Sequence, residues 1–363
     1  MKLKSPVALT LLALVGCGSY NLDPQYASRT TELREFLVAP NFSSNSLTIR
    51  QVDLHTGIGK VSSALPSYGT HPLIVRSHPN LKVFYVVNRD SSVISQYSLD
   101  ASGEASLLGT ISCPANTQLL VLHPAGGRAY AAGNDALRTY SVSSSGILQV
   151  LGADTLLAAP AGWDADFSGR GEVLHIPEAG QIQSFPLIQG YPGPPVSSPL
   201  ESQQDLALDV DVRPDGSSME VVIQGHDSIR SYRLSGAGLP ASAGVCRLAF
   251  RPALADFASN GQYYLGENGS PSVHAYDSSQ ANGLLTELSG GAAVLPGLGG
   301  AFFTALDPSE KFVFSTDGNS NNRLDLRLRS ADGNLLPGKS DNKGLETPGM
   351  FDFLVFQLVT QSE

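Results

Sequence analysis

The chain has 363 residues, with 23 Lys and Arg against 33 Asp and Glu, so its formal net charge is −10. Hydrophobic residues make up 42%, which is enough to bury a core and argues against intrinsic disorder. The excess of acidic residues argues against a nucleic-acid-binding protein, because such proteins neutralise phosphates with Lys and Arg. The 37 Gly and 23 Pro argue against a helical bundle.

The N-terminus, residues 1–16, predicts a lipoprotein signal peptide. Lys2 and Lys4 form a positive start, and residues 7–15 form an apolar segment that only Thr10 interrupts. This segment is too short for a transmembrane helix, which needs about 20 residues. Residues 14–17, LVGC, resemble a bacterial lipobox, in which the Cys is lipidated and becomes the mature N-terminus. We therefore expect lipidation of Cys17 rather than an ordinary cleaved signal that happens to contain a cysteine.

The residue after the lipobox bears on localisation. Gly18 stands where an Asp would signal retention in the inner membrane. The expected location is therefore the bacterial outer membrane, with the protein facing the periplasm or the cell surface. We interpret residues 17–35, which are polar and lack a clear period, as a tether to a single domain of residues 36–360. No other apolar run approaches transmembrane length, so the lipid is the expected membrane contact.

A pattern repeats along this domain: an apolar strand, a turn that often contains Pro, and a second apolar strand. One copy is LIVRSHP followed by VFYVV, within residues 73–87. The turn prolines are Pro79, Pro124, Pro214, Pro252 and Pro308. A copy without proline fills the gap near residue 168, so the spacing is about 45 residues, which is typical of propeller blades.

Two further segments complete each repeat. A third strand alternates apolar and polar residues, as in Ile229 to Leu234, which indicates a half-buried strand. A fourth segment follows a glycine turn, as at Gly103 and Gly146. Four antiparallel strands per repeat are the signature of a propeller blade.

The strand count predicts an all-β, seven-bladed β-propeller. Innermost strands should begin near residues 73, 118, 163, 207, 247 and 302, and a last one covers residues 351–356. Residues 36–39, 47–50 and 61–63 resemble second, third and fourth strands that lack a first. The C-terminal strand would complete that blade and close the ring, leaving no free edge. A β-sandwich or two small β domains would not explain the regular spacing.

The remaining cysteines are Cys113 and Cys246. They could form a disulfide in an oxidising compartment. The repeat map places them several blades apart, which favours two separate thiols that pack as small apolar side chains.

The segment from His78-Pro79 to Tyr97, with FYVVNR and then Ser-x-Ile-x-x-Tyr, resembles the seven-bladed lactonase propellers. That family includes bacterial 6-phosphogluconolactonases of the propeller type and fungal carboxymuconate cyclases. The resemblance extends over residues 33–360 and implies the fold and, as an activity, the opening of a sugar lactone. Enzymatic members tend to have a His-Pro-His-type segment entering the middle inner strand, where this chain has APAGWD at residues 159–164.

Two sets of loops meet at the funnel face of such a propeller: the loops from second to third strands and the links into each inner strand. Their carboxylates and amides suit a polar or sugar-like ligand, although turn formation alone also favours Asn and Asp there. The candidate funnel residues are Asn41, Tyr68, Asn88, Asp90, Asn134, Asp135, Trp163, Glu178, Asp205, Asp227, Asn268, Asp317 and Asn319.

Four residues are the strongest candidates for catalysis. Lactone opening needs a general base, for which His71 or His226 is suited, and a cation at the developing oxyanion, for which Arg89 is suited. Glu267 is the fourth candidate. By contrast, His78 and His123 belong to the X-Pro turns on the opposite face, and we interpret them as turn residues.

We expect no metal and no cofactor. Residues 317–321, DGNSN, offer oxygen ligands at alternate positions, but the Gly and the acid that a calcium loop carries at its sixth and twelfth places are Asn322 and Leu328. No Cys and His spacing suits zinc.

Two hypotheses about function remain. The first is a lipid-anchored envelope propeller that binds a small polar ligand or an envelope protein, with eroded catalytic motifs. The second is a lactonase of the 6-phosphogluconolactonase type, for which a phosphorylated cytosolic substrate would fit poorly with an exported, acidic chain. We expect a monomer that does not bind nucleic acid.

Overall fold

The computed structural model describes residues 29–278, 284–294, 300–316 and 322–361. Within these ranges the chain forms strands and connecting loops, and no helix long and apolar enough to cross a membrane is found in them. Residues 33–356 form one compact unit, and the described residues 29–32 and 357–361 belong to a second. The predicted signal peptide, Cys17, Asp317 and Asn319 lie outside the described residues.

The strands form seven separate antiparallel sheets of at least four strands each, so the predicted seven-bladed propeller is confirmed. Blade 1 contains three N-terminal strands, and blade 2 follows as a simple four-stranded sheet. Their strands are β1 (Arg29–Asn41), β2 (Ser46–Val52) and β3 (Val61–Pro66), then β4 (Pro72–Ser77), β5 (Val83–Asn88), β6 (Val93–Leu99) and β7 (Ala105–Ser112).

Blades 3 and 4 have an outer edge that is split into two short strands. Blade 3 consists of β8 (Leu119–Leu122), β9 (Arg128–Ala132), β10 (Ala136–Val142), β11 (Leu148–Val150) and β12 (Thr155–Leu156). Blade 4 consists of β13 (Asp166–Ser168), β14 (Val173–Glu178), β15 (Gln181–Ile188), β16 (Tyr191–Pro192) and β17 (Val196–Pro199).

Blades 5 and 7 have four strands each, and blade 6 again has a split outer edge. Blade 5 consists of β18 (Ala207–Val212), β19 (Ser218–Ile223), β20 (Ser228–Leu234) and β21 (Pro240–Arg247). Blade 6 consists of β22 (Pro252–Phe257), β23 (Gln262–Glu267), β24 (Ser272–Asp277), β25 (Thr286–Glu287) and β26 (Ala293–Val294). Blade 7 consists of β27 (Phe303–Leu306), β28 (Phe312–Thr316), β29 (Leu324–Arg329) and β30 (Leu335–Asp341).

The last strand, β31 (Asp352–Gln361), pairs with β1 and is the innermost strand of blade 1. This confirms the predicted ring closure by the two chain ends. At the N-terminal side, β1 begins at Arg29, inside the segment interpreted as a tether, and Glu35 is buried.

The predicted inner strand of blade 6 near residue 247 is wrong. Arg247 ends the outer strand of blade 5, and the inner strand of blade 6 begins only at Pro252. Pro252 was assigned to a turn because the other turn prolines set the period, but Pro also suits the first residue of a strand. The true turn contains no proline and is closed by Gly261 N–H donating to the Ala258 carbonyl at 2.8 Å.

Neighbouring blades are joined by hydrogen bonds that recur around the ring. In three blades a second-strand tyrosine hydroxyl donates to a glycine carbonyl of the next blade, at 2.8–2.9 Å. These pairs are Tyr85 with Gly146, Tyr130 with Gly190, and Tyr264 with Gly333. The hydroxyls are therefore satisfied although the rings are buried between blades.

The two His-Pro turns join blades in a similar way. The Nδ1 atom of His78 accepts N–H groups of Asn80 and Leu81, both at 3.0 Å, and its Nε2 lies 2.9 Å from the Gly126 carbonyl of blade 3. His123 repeats this arrangement toward Gly171 of blade 4. Both histidines are structural turn residues, as predicted.

The two thiols are separate, as the repeat map suggested. Cys113 is buried after the last strand of blade 2, whereas Cys246 lies half-buried in the outer strand of blade 5, and both are free.

Candidate functional site

A cavity of about 350 Å³ opens among the links into the inner strands and the loops between second and third strands, which is the predicted funnel face. Segments that lead into the inner strands of blades 1, 4 and 7 contribute most of its wall, and loops of blades 1, 2 and 6 and the inner strand of blade 2 contribute the rest. The described residues that line it are Phe42, Leu73, Arg89, Trp163, Asn268, Phe302, Phe303, Thr347, Pro348 and Gly349.

One wall of this funnel cavity is aromatic. The Trp163 ring packs edge-on against Phe302 and Phe303, with ring centroids 5.6 and 5.9 Å away. The backbone N–H of Trp163 donates to the Leu208 carbonyl of blade 5 at 2.7 Å, and this hydrogen bond fixes the position of the backbone that carries the indole. Trp163 is the only tryptophan of the chain. An indole held in this way offers a rigid surface for stacking.

Arg89 also lines the cavity, and Asp90 connects it to His71. Asp90 Oδ1 accepts Arg89 Nε–H at 3.1 Å, and Asp90 Oδ2 lies 2.5 Å from His71 Nδ1. The hydrogen bond with His71, which has the larger effect, and the hydrogen bond from Arg89 both lower the pKa of Asp90. Phe42 stacks on His71 at 4.3 Å, and the Arg89 guanidinium lies 5.1 Å from the same ring. Arg89 therefore lines the cavity, whereas His71 does not line it and packs against the lining residue Phe42.

The other predicted histidine, His226, does not line this cavity. Its Nδ1 lies 2.5 Å from Oδ1 of Asp205, which is buried and whose Oδ2 accepts the Ser202 N–H at 3.1 Å. His226 itself is exposed at the edge of blade 5. This pair could orient an imidazole for proton transfer, but it faces solvent outside the funnel cavity.

Glu267 also contacts a histidine rather than the cavity. Its Oε2 lies 3.4 Å from Nε2 of His274, whose Nδ1 lies 3.1 Å from Oε1 of Glu287. Phe250 stacks on the His274 ring at 3.8 Å. His274 was not predicted as a site residue, because it lies within an alternating strand where its sequence context does not distinguish it from an ordinary strand residue.

Several predicted funnel residues have structural roles. Asn88 is buried and donates from Nδ2 to Ser95 Oγ at 2.9 Å, and Asn41 donates to Thr48 Oγ1 at 2.9 Å. Asp227 has a φ of 43° and forms the turn between second and third strands. Its conformation is the left-handed one that Asn, Asp and Gly adopt most readily.

The remaining predicted residues differ in exposure. Asn134 and Asp135 are exposed in a tight turn of blade 3, and Tyr68 is exposed in the link into blade 2. Glu178 is buried, which raises its pKa to about 7, and its Oε2 accepts a hydrogen bond from Gln181 at 2.9 Å. None of these four is among the described residues that line the cavity.

The structure thus brings Arg89, Trp163 and Asn268 together in one cavity. His71 contacts the lining residue Phe42, and Asp90 contacts Arg89. Phe42, Phe302 and Phe303 were not predicted, because apolar residues at strand ends do not distinguish a cavity wall from a core. Across the part of the chain that the structure describes, no group of three or more His, Cys, Asp or Glu side chains is arranged to hold a metal ion.

Comparisons with known proteins identify the fold. No protein-family model and no curated protein matches the chain. Among solved structures, a candidate 6-phosphogluconolactonase from Bacteroides fragilis superposes with a TM-score of 0.74 at 15% identity, covering 89% of this chain and 98% of that one. A periplasmic gluconolactonase from Pseudomonas aeruginosa gives 0.74 at 14% identity, covering 89% and 99%. The fold is therefore that of the 6-phosphogluconolactonase-like seven-bladed propellers, as the sequence resemblance implied.

Proposed function

We propose that this protein is a lipid-anchored envelope propeller that binds a small polar ligand in the funnel cavity. The observation that carries the proposal is the composition of the cavity wall, in which an indole and three phenylalanine rings are combined with an arginine and an asparagine. None of the described lining residues is a carboxylate or a histidine, so no general base stands in the wall itself. Such a site is equipped to bind and orient a ligand.

A saccharide is the ligand class that fits this wall best. The apolar face of a sugar ring can stack on the Trp163 indole, and its hydroxyls can accept from Arg89 and pair with the Asn268 amide. Pockets for small ligands combine a largely apolar surface with a few polar groups that orient the ligand. The cavity wall has this composition. The envelope location rests on the lipobox at Cys17 and stays part of the proposal.

Intrinsic fluorescence tests this proposal directly, because Trp163 is the only tryptophan. Titration with a panel of neutral and acidic saccharides should shift its emission with a saturable curve. Calorimetry with the best ligand should show a loss of at least about tenfold in affinity for Trp163→Ala, equivalent to about 1.4 kcal/mol. Tyr68→Ala is the matched control, because Tyr68 is an exposed aromatic residue outside the cavity wall.

A lactonase is the second candidate, and one observation favours it: the chain of contacts from Arg89 through Asp90 to His71. In this mechanism His71 would take a proton from water as the water oxygen attacks the lactone carbonyl, and Arg89 would stabilise the resulting oxyanion. The ring C–O bond would then break as the His71 imidazolium returns the proton to the departing alkoxide oxygen. Hydrolysis of a lactone with a kcat/KM above about 10⁴ M⁻¹s⁻¹ that His71→Ala abolishes would establish this candidate. His55→Ala is the control, since His55 is almost fully exposed.

A further inference from the structure

The charge of the funnel cavity comes from a single cation among its described lining residues. Arg89 is that cation, and the other described lining residues are aromatic, aliphatic or uncharged polar ones. Asp90, which accepts the Arg89 Nε–H at 3.1 Å, is not itself a lining residue. The described lining surface is therefore positive, although the chain as a whole has a net charge of −10.

The Arg89 guanidinium uses only part of its hydrogen-bonding capacity within the protein. Its Nε–H donates to Asp90, and the guanidinium carbon lies 5.1 Å from the centre of the Phe42 ring. In the part of the chain that the structure describes, neither terminal nitrogen, Nη1 nor Nη2, has a hydrogen-bond acceptor. The side chain is 33% exposed, so these donors are left for solvent or a ligand.

Arginines with a structural role in this propeller bind protein acceptors through their terminal nitrogens. Arg50 donates from Nη1 to Asp341 at 2.7 Å and from Nη2 to a backbone carbonyl. Arg138 binds both carboxylate oxygens of Asp154, each at 2.7 Å, through Nε and Nη2. Arg89 differs because its terminal nitrogens bind no such acceptor. A planar guanidinium with both terminal nitrogens available matches the geometry of a carboxylate, which it can bind in a bidentate pair.

Several contacts hold Arg89 in position before any ligand binds. Its backbone N–H donates to the His71 carbonyl at 3.1 Å, and Asp90 connects its Nε to the His71 imidazole. Phe42 stacks on that imidazole and also contacts the Arg89 guanidinium. Because the side chain is already ordered, binding an anion costs little additional conformational entropy. Asp90, His71 and Phe42 are therefore positioning residues for Arg89.

We propose that the funnel cavity selects a hexuronic acid ring, whose carboxylate binds the terminal nitrogens of Arg89. This inference rests on the proposed function and narrows its ligand class. The apolar face of the ring stacks on Trp163. The Asn268 side-chain amide also has no hydrogen-bond partner within the described ranges, so it is available for a ring hydroxyl. The volume of about 350 Å³ suits one sugar ring, because it is at the lower end of the roughly 300–1,000 Å³ of small-molecule sites.

Two matched pairs of glycosides test the proposal: methyl β-D-glucuronide with methyl β-D-glucoside, and methyl β-D-galacturonide with methyl β-D-galactoside. The members of each pair differ only in the group on the ring, a carboxylate or a hydroxymethyl, and the methyl glycoside keeps the ring closed. Titrations of the purified full chain are followed by Trp163 emission and by isothermal calorimetry. In at least one pair the uronide should bind at least about tenfold more tightly, as expected for one charge-assisted hydrogen bond.

Variants of Arg89 assign the preference to its guanidinium. Arg89→Gln should weaken uronide binding at least about tenfold and leave binding of the neutral glycoside nearly unchanged, so the preference disappears. Arg89→Lys keeps the charge but not the planar pair of donors, and it should retain only part of the preference. Arg247→Gln is the matched control and should keep the full preference. Arg247 is an exposed arginine at the end of β21 that pairs with Glu201 and does not line the cavity.

Salt provides a measurement that needs no variant. Raising the ionic strength from about 0.01 M to about 0.15 M shortens the Debye length from about 30 Å to about 8 Å. Uronide affinity should change over this range because the ligand is charged, whereas the affinity of the neutral glycoside should stay constant. The direction of the change distinguishes two sources of charge. Weaker uronide binding at higher salt indicates attraction to Arg89, and stronger binding indicates that repulsion by the acidic surface dominates and contradicts the proposal.

The outcomes separate this inference from the proposed function. Equal affinity for both members of each pair, with binding lost in Trp163→Ala, overturns the uronic acid and leaves the saccharide site standing. A preference that survives in Arg89→Gln, or that Arg247→Gln also removes, overturns the role of Arg89. Tighter binding of glucose 6-phosphate than of either uronide overturns the carboxylate and assigns Arg89 to a phosphate. Absence of binding by every one of these glycosides contradicts the inference and the proposed function together.

Discussion

Glu220 offers a sharp test of how this propeller buries charge. It lies on β19 in the second layer of blade 5 and has no exposed surface. Ser231 Oγ donates to its Oε2, whereas its Oε1 has no hydrogen-bond partner. Burial raises the pKa of Glu220 from 4.5 to about 8, and the Ser231 hydrogen bond and the Arg213 charge oppose this only in part.

The sign of the effect follows from this raised pKa. Between pH 4.5 and 8 the unfolded chain has lost the Glu220 proton while the folded chain retains it, so stability that is present in acid is lost as the pH rises. At about 1.4 kcal/mol per pH unit, the loss between pH 5 and pH 8 is about 3–4 kcal/mol. Glu220→Gln cannot ionise and keeps an acceptor for Ser231, so it should not suffer this loss.

Urea unfolding of both proteins at several pH values from about 5 to 8 measures this difference. The free energy of unfolding of Glu220→Gln, relative to the unaltered chain, should rise by about 3–4 kcal/mol over that range. Glu104→Gln is the control, because Glu104 is exposed in a turn of blade 2 and should give a nearly constant difference. Parallel pH curves for the Glu220→Gln and unaltered proteins would refute the argument.

Three further predictions concern the anchor, the ring and the turns. Mass spectrometry should find an acylated Cys17 at the mature N-terminus and Cys17→Ala should leave the membrane fraction; a free amine at another residue would contradict this. Deletion from Met350 onward removes the closing strand and should abolish cooperative thermal unfolding, so a truncated protein that melts near the full-length temperature would disprove the role of that strand. His78→Ala removes two hydrogen bonds within its turn and the contact with the Gly126 carbonyl of blade 3. In urea titrations it should lower the free energy of unfolding by about 2–3 kcal/mol. The same change at the exposed His55 should lower it by less than about 0.5 kcal/mol.

The blade architecture was predictable from sequence because its signals are local and recur. Period-two strands, glycine turns and the regular spacing each repeat around the ring, so an error in one copy leaves the blade count intact. Pro252 illustrates this: the wrong inner strand shifted one blade boundary by a few residues without changing the topology. The ring closure was predictable for the same reason, since one blade lacked a strand at one chain end and the other end supplied it.

The site was predictable only in part, because a funnel is assembled from distant blades. Arg89, Trp163 and Asn268 were found because polar or aromatic residues in funnel loops are conspicuous. Phe302 and Phe303 were not, because the sequence cannot distinguish a phenylalanine that faces a cavity from one that faces the core. Sequence also could not separate His226 from the cavity, since the direction of a loop side chain depends on its local partner, here Asp205.

The inner-strand aspartates carry a signal that strand patterning alone obscures. In an ordinary half-buried strand, alternating Asp would indicate a solvent-facing side, but an inner strand of a propeller is covered by the next blade. Four of these carboxylates therefore accept a backbone N–H of the neighbouring inner strand. Asp166 accepts from Val212, Asp209 from Ala255 and Asp256 from Leu306, each at 2.9 Å, and Asp352 accepts from Ser77 at 2.6 Å. The carboxylates of the inner strands are therefore explained by the hydrogen bonds that join neighbouring blades, and their alternation does not indicate a solvent-facing side.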